Sequence, residues 1–205
     1  YNMVVTGIAS EIVLIDINAK KAEGEAMDIL QGVPFCSPVS IYAGTYADAK
    51  GSDIVILTSG MPRKAGQSRL ELAQVNVDIT KTIIPEIVKY APEAVYIVVS
   101  NPIDILTYVF HKYSGLPSNQ IIGSGTTLDT ARLRSRLSET FNISQQNVHA
   151  YVFGEHGDTS FIPWSGAYVS GVSLDEYYET VEKMGKNVTK IDKDAMLEYV
   201  RTSGG

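Results

Sequence analysis

Three short apolar runs, residues 11–17 (EIVLIDI), 53–58 (DIVILT) and 94–100 (AVYIVVS), each break off at a polar or turn-forming residue. Apolar runs of this length without alternation are the mark of strands buried on both faces, as in a parallel sheet. Helical patterns lie between them. Asn18 stands where it can cap a helix over 19–30 with Gly32 just beyond, and the segment 69–90 carries Leu72, Val75, Ile79, Ile83 and Ile87 at helical spacing, with Pro85 predicting a kink. Strands alternating with helices require right-handed crossovers and an open sheet covered on both faces. The expected architecture is therefore a doubly wound α/β domain.

Ligands of such sheets sit beyond the carboxyl ends of the strands. Those ends here supply Asp16, then Ser59-Gly60, then Asn101-Pro102, which predicts a shared crevice. The texture changes after Gly123: 126–141 (TTLDTARLRSRLSETF) reads as an Arg-rich amphipathic helix, 147–153 as a strand and 154–159 (GEHGDT) as a polar turn. The reading places one domain over 1–123 and a second over 124–205, whose tail from 174 to 202 reads as a pair of surface helices.

Composition excludes several functions. In 205 residues, 44% hydrophobic, 17 Lys+Arg face 23 Asp+Glu, so the formal charge is −6. No broad basic surface is available for nucleic acid or anionic lipid. No apolar run approaches the roughly 20 residues of a membrane span, and none of the motifs for a Walker loop, a zinc helix or a serine elbow occurs. The single Cys36 excludes an internal disulfide and fits a reducing compartment, so a cytoplasmic location is expected. The chain starts at Tyr1 and closes on Ser-Gly-Gly, which reads as cut at both ends.

Asp16 follows the first apolar strand. A carboxylate there can accept both hydroxyl hydrogens of an adenosine ribose and disfavours a 2′-phosphate, which predicts NAD over NADP; alternatively it serves the helix N-terminus beside Asn18. Such an acid ordinarily follows a Gly-rich phosphate turn by about 20 residues, more than the sequence leaves ahead of Asp16. The expectation is that this turn and the first strand lie upstream of Tyr1, and that residues 1–5 are the remainder of the helix it opens.

Of the three histidines, His156 stands apart. Gly154 and Gly157 flank it, Glu155 and Asp158 surround it with carboxylates, and a strand end exposes it, whereas His111 on a helix reads as a packing or surface residue. A carboxylate held against one ring nitrogen would fix the tautomer and stabilise an imidazolium. Asp129 is the predicted partner. Arg132, three positions on, shares its helical face. Spacing alone does not separate a local Asp–Arg ion pair from an arginine fork that clamps a substrate carboxylate. The segment 61–69 (MPRKAGQSR) reads either as a surface loop or as a lid in which Arg63 or Arg69 brings charge over a bound anion.

With VLIDIN around Asp16, GEAMD at 24–28, SNPIDILT at 100–107, IGSGTTLDTARLR at 122–134 and NVHAYVFGEHGDT at 147–159, the chain resembles the NAD-dependent L-lactate and malate dehydrogenase family along its length. The resemblance implies a Rossmann-type parallel sheet, truncated at its N-terminal end, followed by the start of an α+β catalytic domain. It implies an enzyme with NAD as cofactor. His156 would be the proton acceptor, Asp129 its brace, Arg132 the carboxylate clamp, Arg69 the lid residue polarising the carbonyl, Asn101 an orienting residue for substrate and nicotinamide, and Asp16 and Gly60 part of the cofactor site. Lactate-specific members usually carry glutamine at Arg63 and malate enzymes arginine, so L-lactate is favoured with L-malate as the alternative. A catalytically inert dinucleotide-fold piece is the rival from another class. The resemblance further implies a homotetramer and a fructose 1,6-bisphosphate effector held by Arg134 and His149.

Overall fold

A computed structural model describes residues 1–62, 66, 69–185, 187 and 189–203, except for the side chain of Arg69. Two compact units emerge, Tyr1–Gly123 and Ser124–Gly205.

The first unit opens with α1 (Asn2–Thr6), followed by β1 (Glu11–Leu14), α2 (Ala19–Gly32) and β2 (Ser40–Ala43). β1 and β2 pair in parallel, Glu11 opposite Ser40. Asn18 caps α2 by accepting the Lys21 N–H at 3.1 Å, and Ala26 of that helix packs with Val4 and Ile41 into a small core. The chain continues through β3 (Ile54–Leu57), α3 (Arg69–Tyr90), β4 (Val95–Val98), α4 (Ile103–Ser114) and β5 (Ile121–Gly123). β4 is central to a parallel sheet ordered β3-β4-β5. Tyr96 and Phe110, both fully buried, meet with ring centroids 4.8 Å apart, and Ile84, Ile87, Val98 and Leu106 close the core around them. α3 runs its 22 residues with Pro85 inside it.

The parallel strands do not form one continuous sheet: β1-β2 and β3-β4-β5 are separate, so β1 and β3 each keep an edge without a strand partner among the described residues. The apolar character of β3 was read as two-sided burial, yet Ile54 is 55% exposed and Ile56 40% exposed. The strands are also shorter than the apolar runs, because ladder pairing rather than hydrophobicity ends them.

The second unit contains α5 (Thr127–Phe141), β6 (Val148–His149), β7 (Tyr168–Val169), β8 (Val172–Ser173), α6 (Leu174–Lys183) and α7 (Lys193–Thr202). Its strands form an antiparallel sheet, β6-β7-β8. The strand expected over 147–153 is thus only two residues long, and Phe153 instead forms an isolated bridge with Phe161. The C-terminal helices are more than surface cover, since Leu174 and Tyr178 of α6 and Met196 and Val200 of α7 pack with Leu133 and Leu137 of α5. A Ser173–Glu176 capping box starts α6, and Asp192 accepts two backbone N–H groups at the start of α7.

Candidate functional site

The centre predicted around His156 forms within the second unit. Asp129 lies in the first turn of α5 and is 4% exposed. A buried carboxylate is costly unless its oxygens are used, and both are. One accepts the ring Nδ1–H of His156 at 2.5 Å and the other accepts from Arg132 Nη1 at 3.2 Å. The ion-pair reading and the brace reading, open alternatives in the sequence, thus hold together: one acid serves both. A carboxylate only accepts, so the proton between them belongs on Nδ1. The His156 and Arg132 side chains keep 26% and 21% of their surface open, against 6% for Asp129.

Local structure brings this about. Val152 is gripped by α5 through both of its main-chain groups: Thr126 Oγ1 donates to its carbonyl at 2.5 Å and Thr130 Oγ1 accepts its N–H at 3.0 Å. The two threonines lie one helical turn apart and straddle Asp129, so they set the register of the His156 segment against the helix that carries the acid. The turn then closes through a Phe153–Phe161 pair of backbone hydrogen bonds at 2.9 Å each. Gly154 has φ +90°, and a Cβ there would lie 3.0 Å from the Thr159 carbonyl oxygen, so glycine is required.

In the first unit, Asp16 sits exposed beyond β1, and its Oδ1 accepts the Asn18 N–H at 2.8 Å. It therefore supports the α2 cap while its carboxylate stays at the surface, as a ribose ligand must. Gly60 follows β3 with φ +152°. The sequence reading missed Asn76 of α3, which is 3% exposed and lies against Gly60. Asn76 Oδ1 accepts the Met61 N–H at 2.8 Å, and its Nδ2 donates to the Asn101 carbonyl at 2.8 Å and to the Met61 carbonyl at 3.3 Å. One buried amide thus ties the residues after β3 to those after β4. The signal was present, because Asn76 falls on the apolar stripe between Leu72 and Ile79. An exposed acid past one strand and a positive-φ glycine past another, each at a carboxyl end, fit a dinucleotide.

Arg69 opens α3; its side chain and all of Arg63 lie outside the described residues. Arg134 donates from Nη2 to the Gln145 carbonyl at 3.0 Å, and its Nε is buried without a hydrogen-bond partner among the described residues. His149 is exposed on β6, opposite Tyr168. No cluster of metal-ligating side chains occurs among the described residues.

Parallel α/β architecture in one unit and a histidine and an arginine sharing one buried acid in the other point to a class: a dinucleotide-fold protein. Residues 1–123 match the lactate/malate dehydrogenase NAD binding domain, and residues 126–204 match the alpha/beta C-terminal domain of the same proteins. The chain is 49% identical to the L-lactate dehydrogenase of Acetivibrio thermocellus over its whole length, and 53% identical to L-lactate dehydrogenase 1 of Clostridium acetobutylicum over 84% of it. It spans 66% and 55% of those two proteins. The ligand-bound crystal structure of the minor L-lactate dehydrogenase from Enterococcus mundtii superposes with a TM-score of 0.91 at 40% identity, covering 99% of this chain and 64% of that one. The chain belongs to the lactate/malate dehydrogenase family, and its first unit is that family's NAD-binding domain.

Proposed function

We propose that the full-length protein is an NAD-dependent L-lactate dehydrogenase that interconverts (S)-lactate and pyruvate. The observation that carries this reading is the single buried carboxylate of Asp129, shared between the His156 imidazole and the Arg132 guanidinium. In oxidation, Nε2 of His156 takes the hydroxyl proton of the 2-hydroxy acid as the C2–H bond breaks, and in reduction it returns that proton to the carbonyl oxygen. The bound NAD supplies the hydride acceptor or donor. Asp129 holds the ring in one tautomer and balances the imidazolium. Arg132 grips the C1 carboxylate with its planar fork. Arg69 polarises the carbonyl, Asn101 orients substrate and nicotinamide, and Asp16 with Gly60 serves the cofactor. Support comes from the relatives, whose names specify L-lactate.

Arg63 favours a second reading, L-malate and oxaloacetate, because a guanidinium desolvated against pyruvate's methyl group would lack a partner. NADH oxidation by the full-length enzyme with pyruvate against oxaloacetate decides between them. We expect pyruvate to be preferred and Arg63→Gln to widen that preference. Preference for oxaloacetate, lost in the variant, identifies a malate enzyme.

The same reading makes residues 1–123 part of an NAD-binding domain and residues 124–205 part of a catalytic domain. It makes the protein a cytoplasmic homotetramer. It also makes Arg134 and His149 the ligands of a fructose 1,6-bisphosphate effector, so titration with the sugar bisphosphate should tighten substrate binding. No helix among the described residues is long and apolar enough to cross a membrane.

A further inference from the structure

The turn that carries His156 is held at both ends. Its entry is fixed at Val152 by Thr126 and Thr130, and its exit at Ser160 by a residue from a different helix. Arg201, in the last turn of α7, donates from Nε to Ser160 Oγ at 3.2 Å and from Nη2 to the Ser160 carbonyl oxygen. Ser160 is 3% exposed, so in its surroundings these acceptors depend on protein donors. Val200, the neighbour of Arg201, is fully buried in the core shared with Leu133 and Leu137 of α5. The arginine is thus anchored to the helix that bears Asp129, while its head holds the loop that bears the imidazole.

The turn transmits this hold to the ring. The Ser160 N–H donates to the Gly157 carbonyl, and the Gly157 N–H to that of Glu155, enclosing His156 between them. On the other side, the position of a Cβ at Gly154 lies 3.3 Å from the Ser160 Cα. A shift of Ser160 therefore moves the backbone on both flanks of the imidazole. We propose that Arg201 is a positioning residue of the acid–base centre: by clamping the hydroxyl and carbonyl of Ser160 it sets where the His156 ring stands against Asp129. This assignment rests on the dehydrogenase reading of His156, and it gives α7 a role in the reaction besides packing.

The test uses the full-length enzyme with Arg201→Met, which keeps the aliphatic stem and removes the donors, Arg201→Lys, which restores the charge and a single donor, and Ser160→Ala. Two quantities are read: steady-state reduction of 2-oxo acids, and the low-field proton NMR signal of the ring N–H bonded to Asp129. Because a displacement near 1 Å at a reacting centre costs on the order of 100-fold in rate, Arg201→Met should lower kcat by about 10- to 100-fold. KM should change by less than about 3-fold, since the Arg132 clamp is untouched. The N–H signal should broaden or move upfield, and Arg201→Lys should recover part of both losses. A folded Met variant with wild-type kcat and an unaltered signal overturns the proposal. If the Met variant does not fold, wild-type behaviour in both Arg201→Lys and Ser160→Ala overturns it. Failure of the wild-type enzyme to reduce any 2-oxo acid overturns the dehydrogenase reading instead, and the NMR signal still reports whether Arg201 places the ring.

Discussion

At the scale of single residues, the centre turns on how one carboxylate divides its two oxygens. Asp129→Asn keeps the shape but replaces one acceptor oxygen with an NH2 donor, so the amide cannot satisfy both Nδ1–H and the guanidinium. General acid–base catalysis contributes roughly 100- to 10,000-fold, and we expect kcat for pyruvate reduction by Asp129→Asn to fall within that range. His156→Asn should lose about 10,000-fold or more. Both are read from steady-state rates of the full-length enzyme. The Asp129–His156 contact was legible because His156 stands among glycines and acids and Asp129 is the one acid at the start of its helix, and Arg132 was marked among several arginines only by its three-residue spacing from Asp129. Asn76 was passed over for the opposite reason: asparagine on an apolar helical stripe looks like an interruption, and only the fold shows that Met61 and Asn101 offer it backbone partners. Ser160 and Arg201 gave no warning either, since 41 residues separate them in the chain.

At the scale of elements, the helices were read more faithfully than the strands. α2, α3 and α5 carry apolar periodicity over three turns or more, and an asparagine cap marked the start of α2. β2 has four residues, with only Ile41 buried, too little alternation for its pattern to stand out. The stretch after β6 failed in the other direction. Residues 150–153 look like strand because they are apolar, but Val152 spends its N–H and C=O on the threonines of α5 rather than on a ladder. That exchange is testable. Thr130→Val preserves the shape and leaves the N–H of Val152, itself 3% exposed, without an acceptor. We expect a loss of about 1–3 kcal/mol in urea unfolding, together with reduced kcat.

For the molecule as a whole, stability should depend on alkaline pH through the core of the first unit. Burial pushes the Tyr96 hydroxyl from its ordinary value of 10.0 up to about 12, and that hydroxyl donates to the Ala91 carbonyl at 2.8 Å. The folded state therefore holds this proton more tightly than the unfolded chain does. The resulting stabilisation is complete below pH 10 and disappears as pH rises towards 12. Tyr96→Phe should be less stable than wild type by about 1 kcal/mol at pH 8, and the gap should close between pH 10 and 12 in thermal or denaturant unfolding. A gap independent of pH would mean that Tyr96 does not titrate between the two states. The class of fold was legible at this scale, because alternating buried strands and helices admit few arrangements. The extent of each strand was not, since apolar runs report where strands lie and not where their ladders end.

The shared carboxylate of the second unit also governs electrical neutrality. Counting only the acid, the guanidinium and the ring, the trio sums to zero while the imidazole is unprotonated and to one positive charge once it gains a proton. A keto acid anion entering the protonated trio restores zero, whereas a hydroxy acid anion entering the unprotonated trio leaves it one negative. In the proposed reaction the trio and its bound anion thus differ by one charge between the two directions, a difference that the nicotinamide ring, cationic in NAD and neutral in NADH, would offset.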